Sequence, residues 1–219
     1  MLNHGSSCRN EHDVHLPTRL VDVGSFDGLT PPKLIATAGE KLANLNYVAL
    51  SYCWGKIPFL KTTPDNLKTL MISIPWNTLP NTVRDAIIVA RRLQVRYLWV
   101  DSLCIIQGPE QAAVEDWKTE SAKMHDIYGA AFVTIAAASA ANAHEGLFSK
   151  RPAEAVRSCR LNPSSCYPGS VLLGADPPRN SAEVEALHTR GWALQEQLLS
   201  NRIMTYGASG LSVCSLFLC

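Results

Sequence analysis

The sequence predicts an α/β fold, with a mostly parallel central sheet flanked by helices and an irregular C-terminal extension. Three observations carry that expectation. From Tyr47 to Ala137 the residue patterns run strand, helix, strand, helix, strand, which is the order of βαβ units. The runs at 47–53 (YVALSYC) and 97–106 (YLWVDSLCII) are apolar almost throughout, as strands buried on both faces require. Hydrophobic residues make up 47% of the chain against 18% charged, enough apolar material for a real core.

The elements follow in order. Residues 1–16 are polar and His-rich and read as a flexible leader, with the domain proper at 17–214. Arg19 to Val23 is a short strand, residues 24–32 are Gly/Pro-punctuated loop, and Lys33 to Ala36 is a second strand. Tyr47 to Cys53 is a strand that Trp54-Gly55 breaks. Asp65 to Met71 is a short helix, with Thr63 as its cap and Pro64 in its first turn. Thr82 to Leu93 is the clearest helix, because Val83, Ala86, Ile87, Ala90 and Leu93 form one apolar stripe. Thr82 and Asp85 have capping-box spacing.

Tyr97 to Ile106 is the most strand-like run, and Asp101 interrupts it, which suggests a polar group at a strand end. Gln111 to Tyr128 is a second long helix with Trp117, Ser121, Met124 and Tyr128 on one stripe, and Phe132 to Ala137 is another strand. Residues 152–186 form a loop-rich insertion, with a short strand at Val171 to Leu173. Trp192 to Leu199 is a helix and Arg202 to Tyr206 a strand. Residues 215–219 are an apolar tail that reads as a truncated or misjoined chain end.

The formal net charge of +1 gives no electrostatic footprint for nucleic acid, and none is expected as a partner. No apolar run reaches the roughly 18 residues of a membrane span. The first residues lack the apolar segment of a secretory signal, so a cytoplasmic location is expected. Seven irregularly spaced cysteines then read as reduced thiols rather than a disulfide framework.

Three blocks together resemble the fungal heterokaryon incompatibility (HET) domain family. The first is residues 47–55 (YVALSYCWG). The second runs from Leu79-Pro80 through 84–87 (RDAI), 96–107 (RYLWVDSLCIIQ), Asp116-Trp117, Glu120, Met124 and Ile127-Tyr128 to 146–148 (GLF) and Arg151. The third is residues 190–196 (RGWALQE) with Leu199, Ser200 and Arg202. The matches cover roughly residues 19–214, and several long ones in the same order are highly specific. The chain departs from the family at Gln94, where glycine is usual. It departs again at Gly108, where aspartate is usual, and at Ser212 to Cys214, where a Trp-Glu-Cys-like element is usual.

The resemblance implies a role in non-self recognition and programmed cell death in filamentous fungi, and a protein partner or self-association. It also implies a TIR-like fold by analogy, and with it cleavage of NAD, since some TIR domains cleave NAD with a glutamate. NAD would then be a substrate; no cofactor and no metal are expected. The alternatives are a non-enzymatic, self-associating signalling module and an inactive truncated paralogue.

Asp101 and Glu120 are the candidate catalytic carboxylates. Asp101 lies at a strand end, where open α/β sheets place their ligand crevice. Glu120 follows Trp117 by three residues, and a carboxylate beside an aromatic ring suits a ribose with a stacked base. One such carboxylate can stabilise the oxocarbenium-like charge of glycosidic cleavage. The competing structural reading makes Glu120 a surface residue and Trp117 a core anchor. Ser51, Trp54 and Gly55 are candidate ligand contacts at the neighbouring strand end, with Gly55 permitting close backbone approach. Arg190, Trp192 and Glu196 read as a structural docking element, in which Glu196 pairs an arginine or serves as a second site carboxylate. Cys104 has no histidine at a spacing that names a partner, so a core thiol is favoured over a nucleophile. Cys8, His12 and His15 make a poor zinc signature. No phosphate-binding glycine loop or GxSxG is present.

Overall fold

The computed structural model describes residues 16–38, 46–148, 159–161, 171–173, 185–189, 191–208 and 210–215. The expected leader (to residue 15), Cys8, His12, His15, Arg190, most of the insertion and the tail from residue 216 lie outside the described residues.

Nine strands are described: β1 (Arg19–Asp22), β2 (Lys33–Ala36), β3 (Tyr47–Ser51), β4 (Tyr97–Trp99), β5 (Val133–Ala136), β6 (Cys159–Leu161), β7 (Val171–Leu173), β8 (Arg202–Tyr206) and β9 (Leu211–Ser215). Seven form one sheet in the order β2-β1-β4-β3-β5-β8-β9, and β6 and β7 pair separately. The expectation of a mostly parallel sheet is corrected. The inner strands β4, β3, β5 and β8 run parallel. The joins β1–β2, β1–β4 and β8–β9 are antiparallel. The sheet is therefore mixed, with a parallel centre. β3 and β5 are buried along their whole length, as the apolar runs anticipated.

Six α-helices accompany the strands: α1 (Leu67–Ile72), α2 (Asn81–Arg92), α3 (Asp101–Cys104), α4 (Gln111–Ala122), α5 (Met124–Ala130) and α6 (Gly191–Leu199). α2 joins β3 to β4, α4 and α5 lead from β4 to β5, and α6 precedes β8. β4 and β5 flank β3 on opposite sides, so right-handed crossovers put α2 on one face and α5 and α6 on the other. In agreement, α5 and α6 pack on each other. The stripe of α2 is buried at Val83, Ala86, Ile87 and Ala90 as its spacing predicts.

Four local expectations are overturned. The strand-like run 97–106 is strand only to Trp99, and Asp101, read as standing at a strand end, opens the short helix α3. There the Asp101 carboxylate accepts the Ser102 amide at 2.7 Å, a local bond that competes with a strand ladder. The helix expected over 111–128 breaks at Lys123 into α4 and α5. The capping box does not form. Instead the Thr82 hydroxyl accepts the Gly146 amide at 3.1 Å, and Asp85 accepts the Leu147 amide at 2.8 Å. Thr63 does not cap α1, whose N-cap position is Asn66. Among the described residues no helix is long and apolar enough to cross a membrane.

Candidate functional site

The parallel pairing of β3 and β4 decides what meets at the sheet edge. Their register runs Tyr47 with Tyr97, Val48 with Leu98 and Ala49 with Trp99. Two residues further on, Ser51 and Asp101 leave the same edge. β5 flanks β3 in parallel on its other side, with Ser51 opposite Ala136. Beyond the edge the connections diverge, because β3 leads to α2 on one face while β4 and β5 lead to helices on the other. Such a reversal of direction is where open α/β sheets hold their ligands.

Trp54 and Asp101 meet there. The Trp54 Nε1–H donates to both carboxylate oxygens of Asp101, at 3.1 and 2.9 Å. The indole and the Ser102 amide thus both aim Asp101. Both residues keep part of their surface in solvent. Behind them the Tyr52 hydroxyl donates to Ser102 Oγ at 2.8 Å, fixing α3 from below.

The loop after Gly55 folds over this pair. Phe59 meets Trp54 edge-on, with ring centroids 5.7 Å apart. The Lys61 ammonium lies 4.5 Å from the Trp54 ring centre and 5.4 Å from that of Phe59. Thr62 closes the loop on α3, its amide donating to Ser102 O at 3.0 Å and its hydroxyl to Leu103 O at 2.6 Å. His144 supports the outer side, packing on Phe59 with its Nε2 3.3 Å from Pro58 O.

Gly55 has φ +71°, and a Cβ there would stand 2.3 Å from Asn142 Cβ. The chain's own residue 142 makes the close approach that glycine allows here.

A second carboxylate sits next along the edge. Ser51 Oγ donates to Glu196 Oε2 in a short hydrogen bond. Glu196 is 8% exposed. Ser200 Oγ lies 2.7 Å from Thr134 Oγ1 and 2.6 Å from the Glu196 carbonyl, which fastens α6 to β5. Ser51 is thus one partner of Glu196. Arg190 lies outside the described residues, as does the Trp192 side chain.

Glu120 and Trp117 reverse the competing structural reading: Glu120 is fully buried while Trp117 is 52% exposed. The Glu120 carboxylate accepts from the Thr18 amide at 3.1 Å, from the Thr18 hydroxyl, and from Lys123 Nζ at 3.1 Å. Its neighbour Asp116 pairs Arg19, whose Nε donates to Cys104 O at 2.8 Å. These contacts tie α4 to the start of β1. The Cys104 thiol is fully buried, and burial pushes it up to about 12. That keeps it protonated and unreactive near neutrality. Among the described residues no group of three or more His, Cys, Asp or Glu side chains is placed to hold a metal ion.

Residue spacing singled out Ser51, Trp54 and Asp101, and these three the structure brings to one edge. It did not single out Lys61, Phe59 or His144. They sit in segments without periodicity, and only the fold carries them to the edge.

A family model described as Heterokaryon incompatibility protein (HET) matches residues 47–196, from the first residue of β3 into α6. Neither a curated protein nor a solved structure matches the chain.

Proposed function

The chain belongs to the heterokaryon incompatibility (HET) family, and from that premise we propose that it is a cytoplasmic cell-death effector that cleaves NAD or a related nucleotide at the Trp54–Asp101 edge of the sheet. Its function is related to heterokaryon incompatibility; the effector role, the substrate and the TIR-like character belong to the proposal. The observation that carries it is the carboxylate of Asp101, held by an indole N–H at the point where the sheet's connections diverge.

In this reading Asp101 is the catalytic residue and Trp54 orients it. Nicotinamide leaves with the electron pair of the C1′–N bond, so its ring nitrogen becomes neutral. The ribose takes the positive charge as an oxocarbenium ion, which the Asp101 carboxylate stabilises. Water adds at C1′ and releases its proton through Asp101 to solvent. The products are nicotinamide, ADP-ribose and a proton. Ser51 and Glu196 line the same edge. Glu120 and Trp117, which the sequence also suggested, serve as the comparison, since Glu120 is fully buried against Thr18 and Lys123 whereas Asp101 is part-exposed.

A second reading has its own observation. Leu194 and Leu198 on α6, and Leu211 and Val213 on the edge strand β9, are each more than half exposed. Such apolar surface suits a self-associating signalling module.

Inducible expression with nucleotide profiling separates the two. Wild type is expected to deplete NAD and arrest growth. Asp101→Asn keeps an acceptor for Trp54 and Ser102 and is expected to fold yet lose both effects. Glu120→Gln is expected to lose activity only as far as it loses folded protein. Growth arrest with NAD unchanged would sink the enzymatic reading. Arrest that survives Asp101→Asn but is lost in Leu194→Glu would assign the activity to self-association.

A further inference from the structure

We propose that Lys61 is the anion-binding residue of this edge and holds the phosphates of a pyrophosphate-bearing nucleotide whose ribose faces Asp101. The inference rests on the nucleotide-cleaving reading and adds to it which end of the substrate lies where.

The first observation is how the ammonium is surrounded. Ring faces of Trp54 and Phe59 flank it at 4.5 and 5.4 Å. A ring face attracts a cation but accepts its hydrogen bonds poorly. The ion pairs among the described residues are Arg19–Asp116, Arg96–Asp22 and Lys123–Glu120, and Lys61 takes part in none of them. Among the described residues its ammonium meets ring faces and no acceptor, and its part-exposed position leaves it open to an anion from outside; a phosphate is the usual partner of such a point charge.

The second observation is that the side chain springs from a fixed backbone. Asn66 Nδ2 donates to Lys61 O at 2.9 Å, and Gln107 N donates to Thr62 O at 2.7 Å. With the Thr62 bonds to α3, these clamp the segment on both sides of the lysine. Preorganisation of this kind lowers the entropy lost on binding.

The third is the arrangement of charge around one indole. Trp54 turns its N–H edge to Asp101 and a ring face to Lys61. One indole thus stands between a carboxylate and an ammonium. A ligand that is cationic at its glycosidic end and anionic at its phosphates matches that order of charge. A lysine that merely covers aromatic surface would make the same ring contacts but would not bind anions selectively.

The test is calorimetric titration of inorganic pyrophosphate into the full chain, with Lys61→Gln, Lys61→Arg and Asp101→Asn alongside. Wild type and Asp101→Asn are expected to bind. Lys61→Gln should weaken binding about tenfold or more, and Lys61→Arg should restore most of it. Lys61→Gln should also raise KM for NAD more than KM for nicotinamide riboside, which lacks the pyrophosphate. Equal pyrophosphate affinity in wild type and Lys61→Gln, with both melting alike, overturns the inference even if NAD is cleaved. Lys61-dependent binding without NAD cleavage upholds the anion site and overturns the nucleotide-cleaving function instead.

Discussion

Gln94 has the backbone of a glycine position. It follows the C-cap Leu93 of α2 with φ +57°, in the left-handed region. The Val95 amide bonds Ala90 O and the Gln94 amide bonds Arg91 O, both at 3.0 Å, which is the Schellman closure of a helix. A side chain in that conformation costs about 1–2 kcal/mol. Glycine would remove that strain but would free the unfolded chain, at a cost of about 0.5–1 kcal/mol. The strain is the larger of the two, and the Gln94 side chain is exposed with no packing to lose. Gln94→Gly should therefore stabilise the fold by roughly 0.5–1 kcal/mol. Urea unfolding would show it as a higher midpoint at unchanged slope, whereas a lower midpoint would mean that the strain had been overstated.

At the scale of elements, strands and the stripe of α2 were legible because each is a local pattern in apolar residues. Their ends were not. Asp101 announced a strand end, but its bond to the next amide opens α3 there, and nothing in the apolar residues that follow announces a helix. Thr82 and Asp85 have the right spacing for a local cap, yet they hold the amides of Gly146 and Leu147, more than sixty residues away. Spacing cannot reveal a competitor that distant. The two arrangements differ in consequence. Asp85→Ala should cost about 1–3 kcal/mol by leaving a part-buried amide without its acceptor. Amide exchange should quicken at residues 146 and 147, beside the loop that meets Gly55 and Phe59. Faster exchange confined to the first turn of α2 would instead return Asp85 to the role of a local cap.

For the whole molecule, the parallel centre was legible and the antiparallel margins were not, although one signal existed. Gly207 and Gly210 bracket a turn whose two ends exchange backbone bonds at 2.9 and 3.2 Å, closing β8 onto β9 as a hairpin. The glycines are visible in the sequence, but the βαβ order, which carries the parallel expectation, says nothing of strands joined by a hairpin. Likewise the joint position of Ser51, Trp54 and Asp101 followed from parallel strands of known register, whereas Lys61 reaches the edge only through a tertiary fold of its loop.

The same burial that builds this centre sets how the molecule responds to base. Burial raises the Cys104 thiol from 9.0 to about 12, and it raises the Tyr47 hydroxyl, which donates to Ile127 O at 2.5 Å, in the same direction. Both groups stay protonated in the folded chain at a pH where the unfolded chain has released the proton. Above pH 9 the unfolded state thus binds fewer protons, and stability must fall as pH rises. Below pH 9 the Cys104 contribution is fully present; it is lost progressively toward pH 12, at a slope of about 1.4 kcal/mol per pH unit. Tyr47 adds a similar slope from about pH 10 upward. Unfolding midpoints at pH 8, 9, 10 and 10.5 should therefore hold steady and then drop. In Cys104→Ala the drop should be shallower by about one proton and should begin nearer pH 10. An unchanged profile in that variant would mean that Cys104 titrates in the folded state much as it does in the unfolded chain.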